Sequence, residues 1–346
     1  MKENMKENRL ISFLQVWGII LVVVGHSFEA YYRAYHYNCI VRDWIYTFHM
    51  PLFVFISGYL FLYSIQISHR TLEEIPLWGR NGFFIKKVQR LLLPYLLIST
   101  IAFFPKALLS KFAMRGVELS WRSWIDMLIY PWDNVIIFFW FLPMLFLIFC
   151  IVISVTRIAS HFHWKISIYI ILPLLLVLHL FNPLKDVRLF DLSDVMKYLI
   201  YFVLGCFYFM DQKHIDKLFV NKAGLIAFIL LLVSFVFLEF NFLGSDVLAS
   251  VNGILLSIAL GYIYINFNLR FFQHLNGMSY TIYLLSWFPQ VFFQQILLNI
   301  CPLPWEVITV LAIVSGVYVP FFIAKLIEKL GKENRSRSFL LLIIGR

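Results

Sequence analysis

The sequence predicts an all-α fold, a polytopic membrane bundle of about ten transmembrane helices with both termini cytoplasmic, from three observations. First, the 346 residues are 61% hydrophobic and 14% charged, with a mean hydropathy of +0.81; a soluble domain has an apolar share of about 45–50%. Second, apolar runs of about 17–25 residues, enough to cross a hydrocarbon core about 30 Å thick, recur along nearly the whole chain. Third, with that many spans the side carrying both termini holds 20 of the 29 Lys and Arg residues and the opposite side 9, which marks the termini as cytoplasmic. The net charge of +10 is then a topology signal. It gives no ground for nucleic-acid binding.

The runs lie near residues 10–28, 44–64, 91–105, 134–156, 166–181, 195–210, 223–242, 247–266, 278–299 and 304–327. The first lacks a small-residue cleavage site and is followed by further spans, so it reads as a retained helix and not a signal peptide. The second contains Pro51, which bends a helix by removing one backbone donor. Two long connections, 64–90 on the inner side and 106–134 on the outer, mix basic residues with Trp and Leu as an interface-lying amphipathic helix does. The remaining runs are separated by short charged or Pro- and Gly-bearing breaks, with no internal repeat. The closing stretch "KLGKENRSRSFLLLIIGR" has an apolar patch too short to span, which places it on the inner surface. The domain division is therefore one membrane domain, 1–330, and a short cytoplasmic tail, 331–346. Cys39, Cys150, Cys206 and Cys301 have no metal-ligand or disulfide spacing and receive no chemistry.

Polar residues inside such runs are costly and mark candidate sites. His26 stands near the outer end of the first helix with Glu29 three positions later on the same face, where a carboxylate can orient an imidazole and leave its other nitrogen as a base. Gln15 lies eleven residues earlier on nearly that face, about 16 Å lower, and fits either a polar path or a helix-packing hydrogen bond. In "FHMPLFVFISGYLF" His49 shares the outer end with His26, while Ser57 and Gly58 allow close backbone approach. His49 suits binding of hydroxyl groups, or capping and packing. No carboxylate triad or HxxxH spacing accompanies these histidines, so no metal is expected. "KKVQRLLLPY" sets Lys86, Lys87 and Arg90 on the inner side, either a phosphate-sized cationic patch or a lipid-headgroup anchor. Tyr283, Ser286 and Gln290 share a face, and with Gln294 and Gln295 they either line a hydrophilic passage or join helices.

Six blocks in this order, "GIILVVVGHS", "FHMPLFVFISGYLF", "KKVQRLLLPY", "WFLPML", "YFVLGCF" and "SYTIYLLSW", resemble the integral-membrane acyltransferase 3 family, in particular its fucose 4-O-acetylase-like branch. The resemblance spans nearly the whole chain. It implies an acyl-CoA-dependent O-acyltransferase of the bacterial inner membrane that acylates a cell-surface or lipid-linked glycan. Acyl-CoA, most simply acetyl-CoA, is then a co-substrate, and no cofactor is bound permanently. The other expected partners are the glycan acceptor and membrane lipids. By this resemblance His26 is the catalytic histidine, and Lys87 with Arg90 matches the basic pair assigned to the acyl-CoA phosphates.

Two positions depart from the family pattern. Gln15 stands where a basic residue is usual, and Ser286 where a histidine usually closes the late block. The chemistry implied is attack of a sugar hydroxyl on the thioester carbonyl, with His26 as general base and Ser57 or Tyr283 as oxyanion donors; an acyl-histidine intermediate is the variant. The competing readings are an exporter of lipid-linked glycans and a non-catalytic membrane scaffold. A transporter would call for repeats, which the sequence lacks.

Overall fold

The computed structural model describes residues 9–35, 39–108, 110, 116–163, 167–240, 242–297, 300, 303–330 and 344, without the side chains of 29–35, 168, 169 and 330. Among these residues every regular element is helical. That is the outcome lipid imposes on an open chain, because each backbone donor and acceptor must be satisfied within its own segment. The α-helices are α1 (Arg9–Tyr35), α2 (Ile40–Ile67), α3 (Phe83–Lys87), α4 (Leu93–Leu108), α5 (Trp121–Ile129), α6 (Phe141–His161), α7 (Ile168–Leu180), α8 (Leu192–Val220), α9 (Ala223–Glu239), α10 (Ser245–Asn266), α11 (Ser279–Leu285), α12 (Trp287–Val291) and α13 (Trp305–Leu330).

Seven described segments are long and apolar enough to cross a membrane, and 170–180 and 223–239 are shorter apolar helices. The ninth predicted span, 278–299, is a broken helix: α11, α12 and a π-helical stretch, Phe292–Leu297. Pro289 accounts for the break, since it cannot donate to the carbonyl of Leu285 one turn earlier. A second π-helical stretch, Val88–Leu92, joins α3 to α4. The basic block therefore lies inside the helical segment that begins at Phe83, not ahead of one beginning near residue 91.

The expected amphipathic helix in the inner connection is not formed over 68–82. That segment is turns and bends, broken by Pro76 and by Gly79, whose φ of +90° lies in the left-handed region. In the other long connection, α5 is a short helix whose N-cap Ser120 accepts from the Ser123 amide, with Trp121 exposed.

Two long-range polar clusters define the ends of the bundle. At one end the last turns of α1 and α7 meet the first turns of α2, α8 and α10. At the other, Arg9 donates to Asn268 and Asn266 to the Val220 carbonyl. Helices α2 and α8 meet backbone to backbone. A Cβ on Gly58 would stand 2.0 Å from the Phe202 carbonyl oxygen, and one on Gly205 1.9 Å from that of Phe55, so both glycines permit direct backbone contact. Pro51 leaves the Thr47 carbonyl without its helical partner, and Ser250 of α10 donates to it at 2.8 Å.

Candidate active site

His26 and Glu29 sit on the last turns of α1. The Glu29 side chain lies outside the described residues, whereas His26 is half-buried and packed. Its Nδ1 is 3.1 Å from the Tyr46 hydroxyl of α2, and its ring is 4.8 Å from that of Phe138. Gly25 makes the first contact possible: a Cβ there would already stand 3.2 Å from the Tyr46 ring. The Gly-His pair thus combines a polar ring with the space for its partner.

Tyr46 lies between the two predicted histidines. Its ring meets His26 edge-on at 5.7 Å and His49 edge-on at 4.9 Å. His49 is 4% exposed, and its Nδ1 is 2.9 Å from the carbonyl of Ile45. A carbonyl only accepts, so Nδ1 carries the proton; in the neutral ring Nε2 then presents a lone pair. Arg42 completes the face, with its guanidinium carbon 4.4 Å from the Tyr46 centroid and an ion pair to Asp43 at 3.0 Å. Sequence reasoning missed Tyr46 and Arg42. The available signal was their i, i+4, i+7 spacing with His49 on one helix face.

The broken ninth span holds this end of α1 in place. Gln290 donates to the Val23 carbonyl at 2.8 Å and the Ser27 hydroxyl at 2.9 Å, and Gln294 donates to the carbonyls of His26 and Ser27 at 3.0 and 2.8 Å. Both glutamines therefore act as interhelical ties. Tyr283 is fully packed and donates to the Phe138 carbonyl at 2.5 Å, beneath the ring that contacts His26. Ser57 donates to Phe53 in its own helix at 2.8 Å. In this arrangement the hydroxyl protons of both residues are committed to backbone carbonyls and are not presented to an oxyanion. Gln15 is half-buried. The Ser286 hydroxyl is buried with no hydrogen-bond partner among the described residues.

The three cations at the other end diverge. Lys86 is exposed, Lys87 is partly buried with Nζ 3.4 Å from the Phe149 centroid, and Arg90 is exposed with its guanidinium carbon 5.7 Å from that of Tyr280. The Tyr280 hydroxyl donates to the Arg90 carbonyl. The π-turn at 88–92 alters the angular step, so Lys87 and Arg90 address different helices although their spacing suggested a common face. From Tyr280 to Gln294 the broken helix runs about 20 Å at the helical rise.

Among the described residues no group of three or more His, Cys, Asp or Glu side chains is placed to hold a metal ion. The family model described as an acyltransferase domain matches residues 8–325, and the chain belongs to this acyltransferase 3 family of membrane acyltransferases. Comparison with curated proteins and comparison with solved structures give no match.

Proposed function

We propose, from membership of that family, that the protein transfers an acyl group, most simply acetyl, from cytoplasmic acyl-CoA to a hydroxyl of a cell-surface or lipid-linked glycan across a bacterial inner membrane. The observation that carries the reading is the His26–Tyr46–His49 cluster, packed at one end of the bundle, with Lys86, Lys87 and Arg90 at the other. The cations receive the CoA phosphates. The pantetheine arm extends along the broken helix, whose length it matches, and delivers the thioester to the histidines.

His26 then takes the proton from the acceptor hydroxyl as its oxygen attacks the thioester carbonyl. Collapse of the tetrahedral intermediate breaks the carbon–sulfur bond, and the proton on His26 passes to the departing thiolate. Tyr46 orients the His26 ring through Nδ1. His49, with Nε2 as an acceptor, receives a hydrogen bond from the incoming hydroxyl.

The test is transfer of labelled acetate from acetyl-CoA to surface polysaccharide by the parent and by His26→Ala. Loss in the variant supports the reading, and full transfer by the variant overturns the mechanism. No transfer by the parent would favour export or scaffolding. Orientation is checked separately with an impermeant thiol reagent on intact cells, which should reach Cys39. Labelling only after permeabilisation would put His26 on the donor side.

A further inference from the structure

A second polar group at the His26 end takes no part in the chemistry above. The N-terminal turns of α2, α8 and α10, with Phe237 of α9, line a half-open cavity of about 220 Å³, below the roughly 300 Å³ at which drug-sized pockets begin. It has room for a single sugar ring and not for acyl-CoA. Tyr46, Tyr198 and Tyr201 supply aromatic wall, and Lys197 and Asp246 supply charge. Tyr46 is also the residue bonded to His26, so the cavity adjoins the histidine cluster.

Hydrogen-bond accounting indicates what the cavity takes. Thr47 and Ser250 line it, but their hydroxyl protons are already used. Thr47 donates to the Trp44 carbonyl at 2.7 Å, and Ser250 to the carbonyls of Thr47 and Asp246 at 2.8 and 2.7 Å. Each offers only lone pairs to a ligand. Asp246 is held from behind by His179, which is 7% exposed and lies on the last turn of α7. His179 Nε2 is 2.9 Å from the carboxylate and Nδ1 is 2.7 Å from the Lys197 carbonyl. Because the carbonyl only accepts, Nδ1 is protonated. A further proton is shared between Nε2 and the carboxylate, which fixes the rotamers of both side chains. Lys197 makes no ion pair among the described residues. Thr47, Ser250 and Asp246 offer acceptors, and Lys197 and the tyrosine hydroxyls add donors, so the wall is complementary to a ligand that brings many hydroxyl groups and an apolar C–H face for the tyrosines.

We infer that this cavity is the acceptor subsite: it binds one ring of a saccharide, which donates hydroxyl protons to Asp246 and directs a neighbouring hydroxyl past Tyr46 to the histidines. The role as acceptor subsite rests on the acyl-transfer reading; saccharide binding itself does not. Asp246 is the binding residue. His179, which acts only through Asp246, is a positioning residue.

The experiment uses the full chain in lipid nanodiscs, with its native cysteines replaced by serine and Thr47→Cys introduced, or Ala249→Cys on the α10 wall should the first fail to fold. It reads the rate of maleimide labelling in the presence of glucose, galactose, N-acetylglucosamine or fucose in turn, and of coenzyme A. At least one saccharide should slow labelling several-fold and coenzyme A should not. Asp246→Asn should weaken that protection about tenfold. His179→Phe should have the same effect, and His179→Gln, whose amide still donates to the carboxylate, should restore protection. Absence of protection by every saccharide overturns the inference, and protection by coenzyme A alone reassigns the cavity to the donor. Saccharide protection in a protein that transfers nothing to glycans would defeat the acyl-transfer reading and leave a saccharide site. Transfer without protection would defeat the subsite alone.

Discussion

The two ends of the bundle use ionisable residues in opposite ways. At the His26 end the polar groups are packed and bonded to one another across three elements: α1 and α2 through His26 and Tyr46, and α1 and the broken ninth span through Gln290 and Gln294. At the Arg90 end, Lys86, Lys87 and Arg90 belong to one continuous segment, diverge towards different neighbours, and leave two of the three exposed. A packed, cross-braced set holds atoms in a fixed geometry, which proton transfer needs. An exposed set of flexible cations holds charge without fixed geometry, which suits a mobile anionic ligand. On the acyl-transfer reading, activity therefore depends on position at the first end and on charge at the second.

Substitutions that test this contrast rank as follows. His26→Ala should lower acyl transfer by about 10²- to 10⁴-fold at unchanged expression, the range for removing a general base; transfer kinetics measure it, and a fall below tenfold would move the base role to His49. Gly58→Ala adds a Cβ against the Phe202 carbonyl and should destabilise by about 3 kcal/mol, seen as a lowered melting temperature in detergent that a substitution at exposed Gln66 on the same helix does not reproduce.

Tyr46→Phe keeps the ring between the histidines and removes the hydrogen bond to His26. It should reduce kcat about tenfold with little change in melting temperature. A parallel loss of stability would make Tyr46 a packing residue only. At the other end, Arg90→Gln should raise the KM for acyl-CoA about fivefold and flatten its dependence on salt, leaving kcat unaltered. Lys86→Ala, at an exposed cation, should change either constant by less than about twofold. An Arg90 effect on kcat instead of KM would end the distinction between the two ends.

Much of this was legible in the residues. Hydropathy and the six blocks were enough for the class of fold and family, because lipid leaves an open chain no alternative to helix. His26 and His49 stood out as polar exceptions in apolar runs, and Gly58 as a point of close approach. Tyr46 was not visible in that way, since tyrosine is common near membrane interfaces and only its contact with His26 distinguishes it. Gln290 and Gln294 fitted a passage or a tie equally well until their partners were known. Lys87 and Arg90 appeared to share a face because their spacing was read on an α-helix; the π-turn between them separates their neighbours.

The sequence by itself determined the all-helical class, the family and the histidine pair, because each depends on local hydrophobicity or on motifs read along one segment. Only the tertiary structure decided which side chain joins the histidines, where the ninth span breaks and ties to α1, and that Asp246, Lys197 and Ser250 line one cavity with His179 behind Asp246. Those residues come from helices far apart in the chain. No periodicity within any one helix specifies the turn of another against which it will pack.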